Sequence, residues 1–312
     1  MSSTVPATDR TPTCDFSIYG MRVRSPLRLS GWPTLPEGPA PDITIVREAI
    51  PTPVVEGAPH SARSLVEDGE VRVGVRGVAR YRATGGTVIH VDPEPSARPE
   101  DVQLYLTGAM MGAIFHQRGV FPLHASCVVM EGQAVALAGP SGAGKSTLMV
   151  ALVRHGAGFV SDDICVLSPL AGARFGVLPS LARAKLDLAS LASLNHGGQD
   201  LESAGGDRGK FHVPVRTLDV PGEPPPLNAI FLLRDGEGDP RIERLQGLEA
   251  VAALVEETYF LRYVVALGLA APCFRHAGAV ARKVRVARLV RPRGFDHLPL
   301  LVDLIGTGAR QV

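Results

Sequence analysis

The sequence predicts a mixed α/β protein, with a P-loop core preceded by a β-rich lobe. Three observations predict it. Residues 71–94 alternate apolar and polar side chains around Gly85–Gly86, the pattern of paired strands. The stretch "QAVALAGPSGAGKSTLMVALVRHG" runs from an apolar strand through a glycine-rich turn into an amphipathic helix. The segment "GFVSDDICVL" then brings the chain back as a second apolar strand, interrupted by two acids. Strand periodicity gives way to helical periodicity near residue 100. That change divides the chain into a β-rich N-terminal lobe, 1–100, and a P-loop domain, 101–312.

Residues 1–14 are polar and read as a flexible start. "DFSIYGMRVRSPLRL" and "ITIVREA" read as short strands on either side of a turn-rich passage with Pro33, Pro36, Pro39 and Pro41. "DVQLYLTGAMMGAIFHQRG" changes period: Leu104, Leu106, Met110, Met111, Ile114 and Phe115 can form one broad helical face. "ASCVVM" and "QAVALA" are strands joined by Glu131–Gly132. "STLMVALVRHG" is a helix stopped by Gly156. Further on, "PGEPPPLNAIFLL" places a proline-rich turn before a strand, and residues 248–272 carry one long helical pattern. "ARKVRVARLVRPRGFDHLPLLVDLI" reads as a basic strand followed by a helix from about Phe295.

With 312 residues and 45% hydrophobic content, the chain can bury a sizeable core. A formal net charge of +1 argues against a nucleic acid or an anionic membrane as a partner. Only four of the 32 lysines and arginines are lysines: Lys145, Lys185, Lys210 and Lys283. Cys14, Cys127, Cys165 and Cys273 have neither metal-ligand spacing nor a disulfide pattern. The start has no apolar signal core. The most apolar helical stretch, 254–273, is broken by Glu256, Glu257 and Arg262. Cytoplasmic residence is the expectation.

Gly139 to Ser146 fit the pattern GxxxxGK[ST]. Gly139, Gly142 and Gly144 permit the tight path, and N–H groups from Ser141 and Ala143 to the helix start can surround phosphate oxygens. Lys145 is placed to reach the β and γ phosphates, and Ser146 to ligate Mg²⁺ through its hydroxyl. Thr147 is either a phosphate contact or an ordinary helix residue. Asp162 and Asp163 are expected at the carboxyl end of a strand lying beside the P-loop strand. There one carboxylate serves the metal and the other an incoming hydroxyl. If Glu131–Gly132 form a two-residue hairpin turn, Met130 faces Gln133 and His124 arrives opposite Gly139, at the entrance to the phosphate loop. Arg183, Lys185, Arg208 and Lys210 are further candidates for substrate or phosphate contact. "RKVRVARLVRPR", with Arg282, Lys283, Arg285, Arg288, Arg291 and Arg293, reads first as a strand with a basic outer face, and otherwise as a cluster for phosphate groups or an acidic leader peptide.

Taken together, "LHASCVVMEGQAVALAGPSGAGKSTLMVALVRHGAGFVSDDICVL" resembles the catalytic core of the HPr serine kinase/phosphorylase family, whose fold is similar to the nucleotide domain of phosphoenolpyruvate carboxykinases. The resemblance implies His124 as the active-site histidine, Asp162 as the base and Asp163 as the metal-side acid. It implies ATP and Mg²⁺ as cofactors, a serine in a peptide or protein as acceptor, and a homo-oligomer. Pro140 stands where the family usually has an acid, and the family's later glycine-rich signature is absent, which points away from the reverse reaction. The chain is most similar to divergent members that include kinases of lasso-peptide precursors. The residues themselves leave open a kinase of a small-molecule alcohol and a non-catalytic nucleotide-responsive module.

Overall fold

The computed structural model describes residues 12–51, 61–195, 201–206, 209–217 and 223–310. It is a mixed α/β structure with several sheets. Eight strands come first: β1 (Cys14–Ile18), β2 (Met21–Ser25), β3 (Thr34–Leu35), β4 (Ile43–Arg47), β5 (Ala62–Glu67), β6 (Glu70–Val75), β7 (Ala79–Thr84) and β8 (Val88–Pro93). They form one sheet in the order β3-β1-β2-β4-β8-β7-β6-β5. The alternation in 71–94 resolves into three of them. Val71, Val73, Tyr81, Ile89 and Val91 face the core, and arginines and acids face out.

The first helical segment is α1 (Pro99–Tyr105), a π-helical turn (Leu106–Met110) and α2 (Met111–Gln117). The sequence read it as one regular helix. Tyr259 packs along this stretch: an added Cβ would lie 3.4 Å from its hydroxyl at Gly108, inside the π-turn, and 3.0 Å from its ring at Gly112, just after it. Val102, Leu106, Met110, Ile114 and Phe115 share one apolar cluster with the N-terminal sheet.

The second layer is built on a six-stranded sheet. Its members are β9 (Ala125–Met130), β10 (Gln133–Ala138), β11 (Gly158–Ser161), β16 (Leu227–Asp235), β17 (Arg241–Leu245) and β18 (Arg285–Arg291), in the order β11-β9-β10-β16-β18-β17. Between them lie α3 (Lys145–Arg154), the two-stranded pair β12 (Leu167–Leu170) and β13 (Arg174–Val177), and the hairpin β14 (Arg183–Asp187) and β15 (Lys210–Pro214). α4 (Leu188–Ser193) follows β14. α3 and α8 (Leu298–Arg310) cover one face of the sheet. α5 (Gly247–Glu256) and α7 (Ala270–Ala281) cover the other, and α6 (Leu261–Ala266) connects them.

Three expectations change. The long helical pattern at 248–272 is broken into α5, α6 and the start of α7, because Phe260 adopts a left-handed φ of 49° and Gly268 one of 71°. The C-terminal helix starts at Leu298 rather than near Phe295. The basic strand β18 is not a solvated face. It lies between β16 and β17, with Val286, Ala287, Leu289 and Val290 buried and Arg291 almost fully so.

Candidate functional site

The hairpin reading of 125–138 fixes the register of the site. Glu131 (φ 50°) and Gly132 (φ 79°) form a two-residue turn with both φ positive. Met130 pairs with Gln133, and the ladder runs back to Ala125 against Ala138. His124 and Gly139 are the next residues out. The expectation that β11 lies beside the P-loop strand is corrected: β9 takes that edge of β10, and β11 pairs antiparallel with β9. Two antiparallel steps leave β11 running with β10, so its carboxyl end still reaches the same edge of the sheet.

β10 ends at Ala138 and α3 begins at Lys145, with Gly144 in a left-handed conformation (φ 83°) as its N-cap. Gly139 leaves the strand at φ 148°, and a Cβ there would lie 3.1 Å from the carbonyl oxygen of Leu233 on β16. The first four N–H groups of α3 have no partner within the helix and face the loop end. Lys145 is buried. Its Nζ donates to the carbonyls of Gly139 (2.7 Å) and Pro140 (3.1 Å). Burial lowers its pKa, against the opposing pull of Asp163, Glu257 and Asp162. Thr147 turns away from the loop and shares a hydrogen bond with Ser190 Oγ at 2.8 Å, which makes it a packing residue of α3.

The two acids part company. Asp162 Oδ1 accepts from Ser146 Oγ (2.9 Å) and Ser126 Oγ (2.6 Å), and Oδ2 accepts from the Lys185 N–H (3.1 Å). Asp163 adopts φ 74°, a left-handed conformation that aspartate tolerates better than most residues, and its carboxylate turns elsewhere. There Lys185 Nζ lies 3.1 Å from Oδ2 and His124 Nε2 3.5 Å from Oδ1. Burial alone would raise the Asp163 carboxyl, but the Lys185 ammonium and the His124 imidazole outweigh it and hold it well below the usual carboxylate range. The structure therefore pairs Asp162, not Asp163, with the P-loop serine.

Several neighbours were not singled out from the sequence. Glu257, buried at the end of α5, accepts from Arg234 Nη2 (2.9 Å), and its charge acts on Lys145. Its carbonyl accepts the His124 N–H (2.8 Å), and the Tyr259 ring meets the His124 ring edge-on at 5.8 Å. Arg291 donates through Nη2 to the carbonyl of Ala143, in the middle of the phosphate loop. The run "EETYF" carries a faint signal for this corner, since β-branched and aromatic residues end the helical pattern there. Arg183 lies two residues before Lys185 on β14. Lys210 opens β15 opposite Asp187, within electrostatic range of Lys145. Arg208 lies outside the described residues.

The donor set suits a nucleotide with its magnesium. Among the described residues no group of three or more His, Cys, Asp or Glu side chains forms a cage for a metal ion. Magnesium in phosphate sites needs only one or two protein ligands, with phosphate and water oxygens completing the shell. The Ser146–Asp162 pair meets that requirement.

No family model and no curated protein sequence matches the chain. Among solved structures it is similar to an HPr(Ser) kinase/phosphatase from Coxiella burnetii, with 15% identity over 60% of this chain and 89% of that one, at a TM-score of 0.31. A likeness of that size assigns nothing, and the function has to rest on the geometry of the site.

Proposed function

We propose that the protein is an ATP- and Mg²⁺-dependent kinase that transfers the γ-phosphoryl group to a serine hydroxyl of a peptide or protein. One observation carries this reading. Two adjacent carboxylates face different ways, Asp162 onto the hydroxyl of Ser146 and Asp163 toward His124 and Lys185. A protein that only holds nucleotide needs the first arrangement and has no use for the second.

In this reading the loop amides and Lys145 hold the phosphates, and Ser146 and Asp162 hold the metal. Bound magnesium supplies charge neutralisation on the phosphate oxygens. Asp163 accepts a hydrogen bond from the acceptor hydroxyl and takes its proton as the oxygen–phosphorus bond forms and the bond to the ADP oxygen breaks. A carboxylate held ionised is a weak base. In phosphoryl transfer, however, the acceptor proton is lost late, and orientation counts for more than basicity. His124 and Lys185 fix Asp163 and keep it charged. This reverses the roles that the family resemblance implied for the two acids.

The test compares Asp162→Asn with Asp163→Asn, using γ-labelled ATP and a peptide library with one fixed serine. Asp163→Asn is expected to reduce serine labelling by about a hundredfold or more while Mg-ATP affinity stays within about threefold. Asp162→Asn is expected to weaken Mg-ATP binding itself by about tenfold or more. Wild-type protein that binds Mg-ATP but labels no serine would falsify the kinase reading.

A further inference from the structure

Glu257 lies across the mouth of the phosphate loop. It caps the C-terminus of α5. Its backbone carbonyl accepts the His124 N–H (2.8 Å), and its carboxylate Oε1 accepts from Arg234 Nη2 (2.9 Å). His124 stands one residue before β9, and Arg234 is at the carboxyl end of β16. β9 and β16 flank β10 on its two sides. A residue that reaches both of them therefore spans the end of β10, where the loop begins.

Arg234 belongs to that mouth by its own contacts. Alternation along β16 puts Leu233 in the cluster under α3 and α8, and Leu232 in the cluster under α5 and α7. Arg234 rises on the Leu232 side, toward Glu257. Its Nη1 donates to the carbonyl of Leu233 (3.0 Å), the same oxygen that a Cβ on Gly139 would meet at 3.1 Å. Lys145 comes to Gly139 from α3, on the opposite face, and its Nζ lies 2.7 Å from the Gly139 carbonyl. Ammonium and guanidinium thus stand on either side of the first loop residue. The ammonium of a P-loop lysine serves the β and γ phosphates.

As a stabilising device the Arg234–Glu257 pair is poor. Glu257 is buried, and the C-terminus of a helix is the wrong end for a carboxylate. Desolvating both members of an ion pair cancels much of their attraction. The pair is better suited to aiming the arginine. Its side chain is 29% exposed against 7% for Glu257, so solvent reaches the guanidinium and not the acid. A guanidinium has more donors than these two contacts use. Arg291, at the carboxyl end of β18, is different. It is spent on the carbonyls of Ala143 and Pro292 and on Asp235.

We propose that Arg234, aimed by Glu257, is a ligand of the terminal phosphate of the bound nucleotide, and that it makes the site prefer a nucleoside triphosphate to the diphosphate. The loop amides and Lys145 serve both nucleotides. Only the triphosphate carries a further group toward the mouth that Arg234 and Glu257 occupy, and a guanidinium fork matches phosphate oxygens in two-point geometry. The proposal rests on the nucleotide part of the reading above and is independent of the acceptor.

The competing account is that Arg234 only neutralises Glu257, whose charge would otherwise repel the phosphate. A Glu257→Gln background separates the two, because it removes the charge and keeps an oxygen for the Arg234 N–H. Calorimetry on the full chain with Mg²⁺ compares a non-hydrolysable ATP analogue with ADP. Adding Arg234→Gln to that background is expected to weaken the analogue by about tenfold or more and ADP by about threefold or less. Arg234→Lys, which keeps the charge and loses the fork, is the second variant should the first not fold. It is expected to weaken the analogue about threefold more than ADP. Equal losses for the two nucleotides would make Arg234 a support of the loop and overturn the proposal. Analogue affinity unchanged by Arg234→Gln overturns it as well, since the arginine would then have served Glu257 alone. Wild-type protein that takes up neither nucleotide refutes the nucleotide reading and this proposal together, whereas uptake of both with indifferent variants refutes this proposal alone.

Discussion

At the residue scale, function turns on where single side chains point. Asp162 and Asp163 are neighbours in sequence, yet the left-handed backbone at Asp163 sends the second carboxylate to a different set of partners. Nothing in the letters "DD" distinguishes the two, so the sequence supplied the pair and only the backbone supplied the division of labour. Arg291 shows the opposite limit. It is one of six cations in a basic run, and only the sheet order reveals that it alone reaches the carbonyl of Ala143 inside the phosphate loop. A hydrogen bond from a charged donor contributes about 1.5–3 kcal/mol. Arg291→Leu is therefore expected to weaken Mg-ATP binding by about tenfold, measured by calorimetry, and to leave peptide affinity within about twofold. Unchanged nucleotide affinity would show that the loop holds its shape without the arginine.

Elements with a local cause were legible, and elements set by distant contacts were not. The hairpin at 125–138 follows from Glu131–Gly132, and α3 follows from its glycine cap and apolar stripe. The π-turn at 106–110 has Tyr259, more than a hundred residues away in sequence, packed beside Gly108 and Gly112, and the break after α5 comes with the left-handed backbone of Phe260. Gly112→Val forces the Tyr259 ring to move. The expected cost is about 1–3 kcal/mol in urea unfolding, together with a fall in activity, because Tyr259 also supports His124. The hairpin of β1 and β2 carries its own electrostatic signature. Asp15 faces Arg24 and also meets Arg22 across the turn, at 2.8 and 2.7 Å. Its carboxyl is lowered from 3.8 to about 2, by the Arg24 hydrogen bond first, with burial opposing. A lowered carboxyl contributes stability that is fully present above its unfolded pKa and is lost as pH falls through the folded one. Arg24 is partly exposed, so the contribution is discounted to about 1–2 kcal/mol. Asp15→Asn is expected to flatten the stability profile between about pH 4 and pH 2 and to lower stability at neutral pH by about that amount. A profile with the same acid slope as wild type would assign the pair no role in folding.

At the scale of the whole molecule, the two layers are joined through side chains rather than through a linker. The α1–α2 segment begins at the change in sequence periodicity near residue 100, but its apolar face is buried in the cluster of the N-terminal sheet, which also holds Ile164, Val166 and Tyr263 from beyond the P-loop. Tyr19, at the turn between β1 and β2, is raised by burial and then by the charge of Asp163, so the first hairpin reaches toward the carboxylate pair. Trp32, the single tryptophan, lies in the same cluster, with its ring centroid 5.9 Å from that of Tyr19. It therefore reports on the N-terminal layer, while the P-loop lies in the other. If the shared cluster makes the layers one cooperative unit, Trp32 fluorescence and far-ultraviolet circular dichroism follow the same thermal transition. Mg-ATP at about a hundred times its dissociation constant adds about 2.7 kcal/mol to the folded state. In a chain of this size that moves the midpoint up by about 5 °C, and the Trp32 signal is expected to move with it. If the Trp32 transition ignores Mg-ATP while the dichroism shifts, the layers unfold separately. The cavity lined by Arg28, Gln103 and Arg183 would then lie on a hinge that opens at little cost, and hydrogen exchange in its walls would rise steeply on warming toward the first transition.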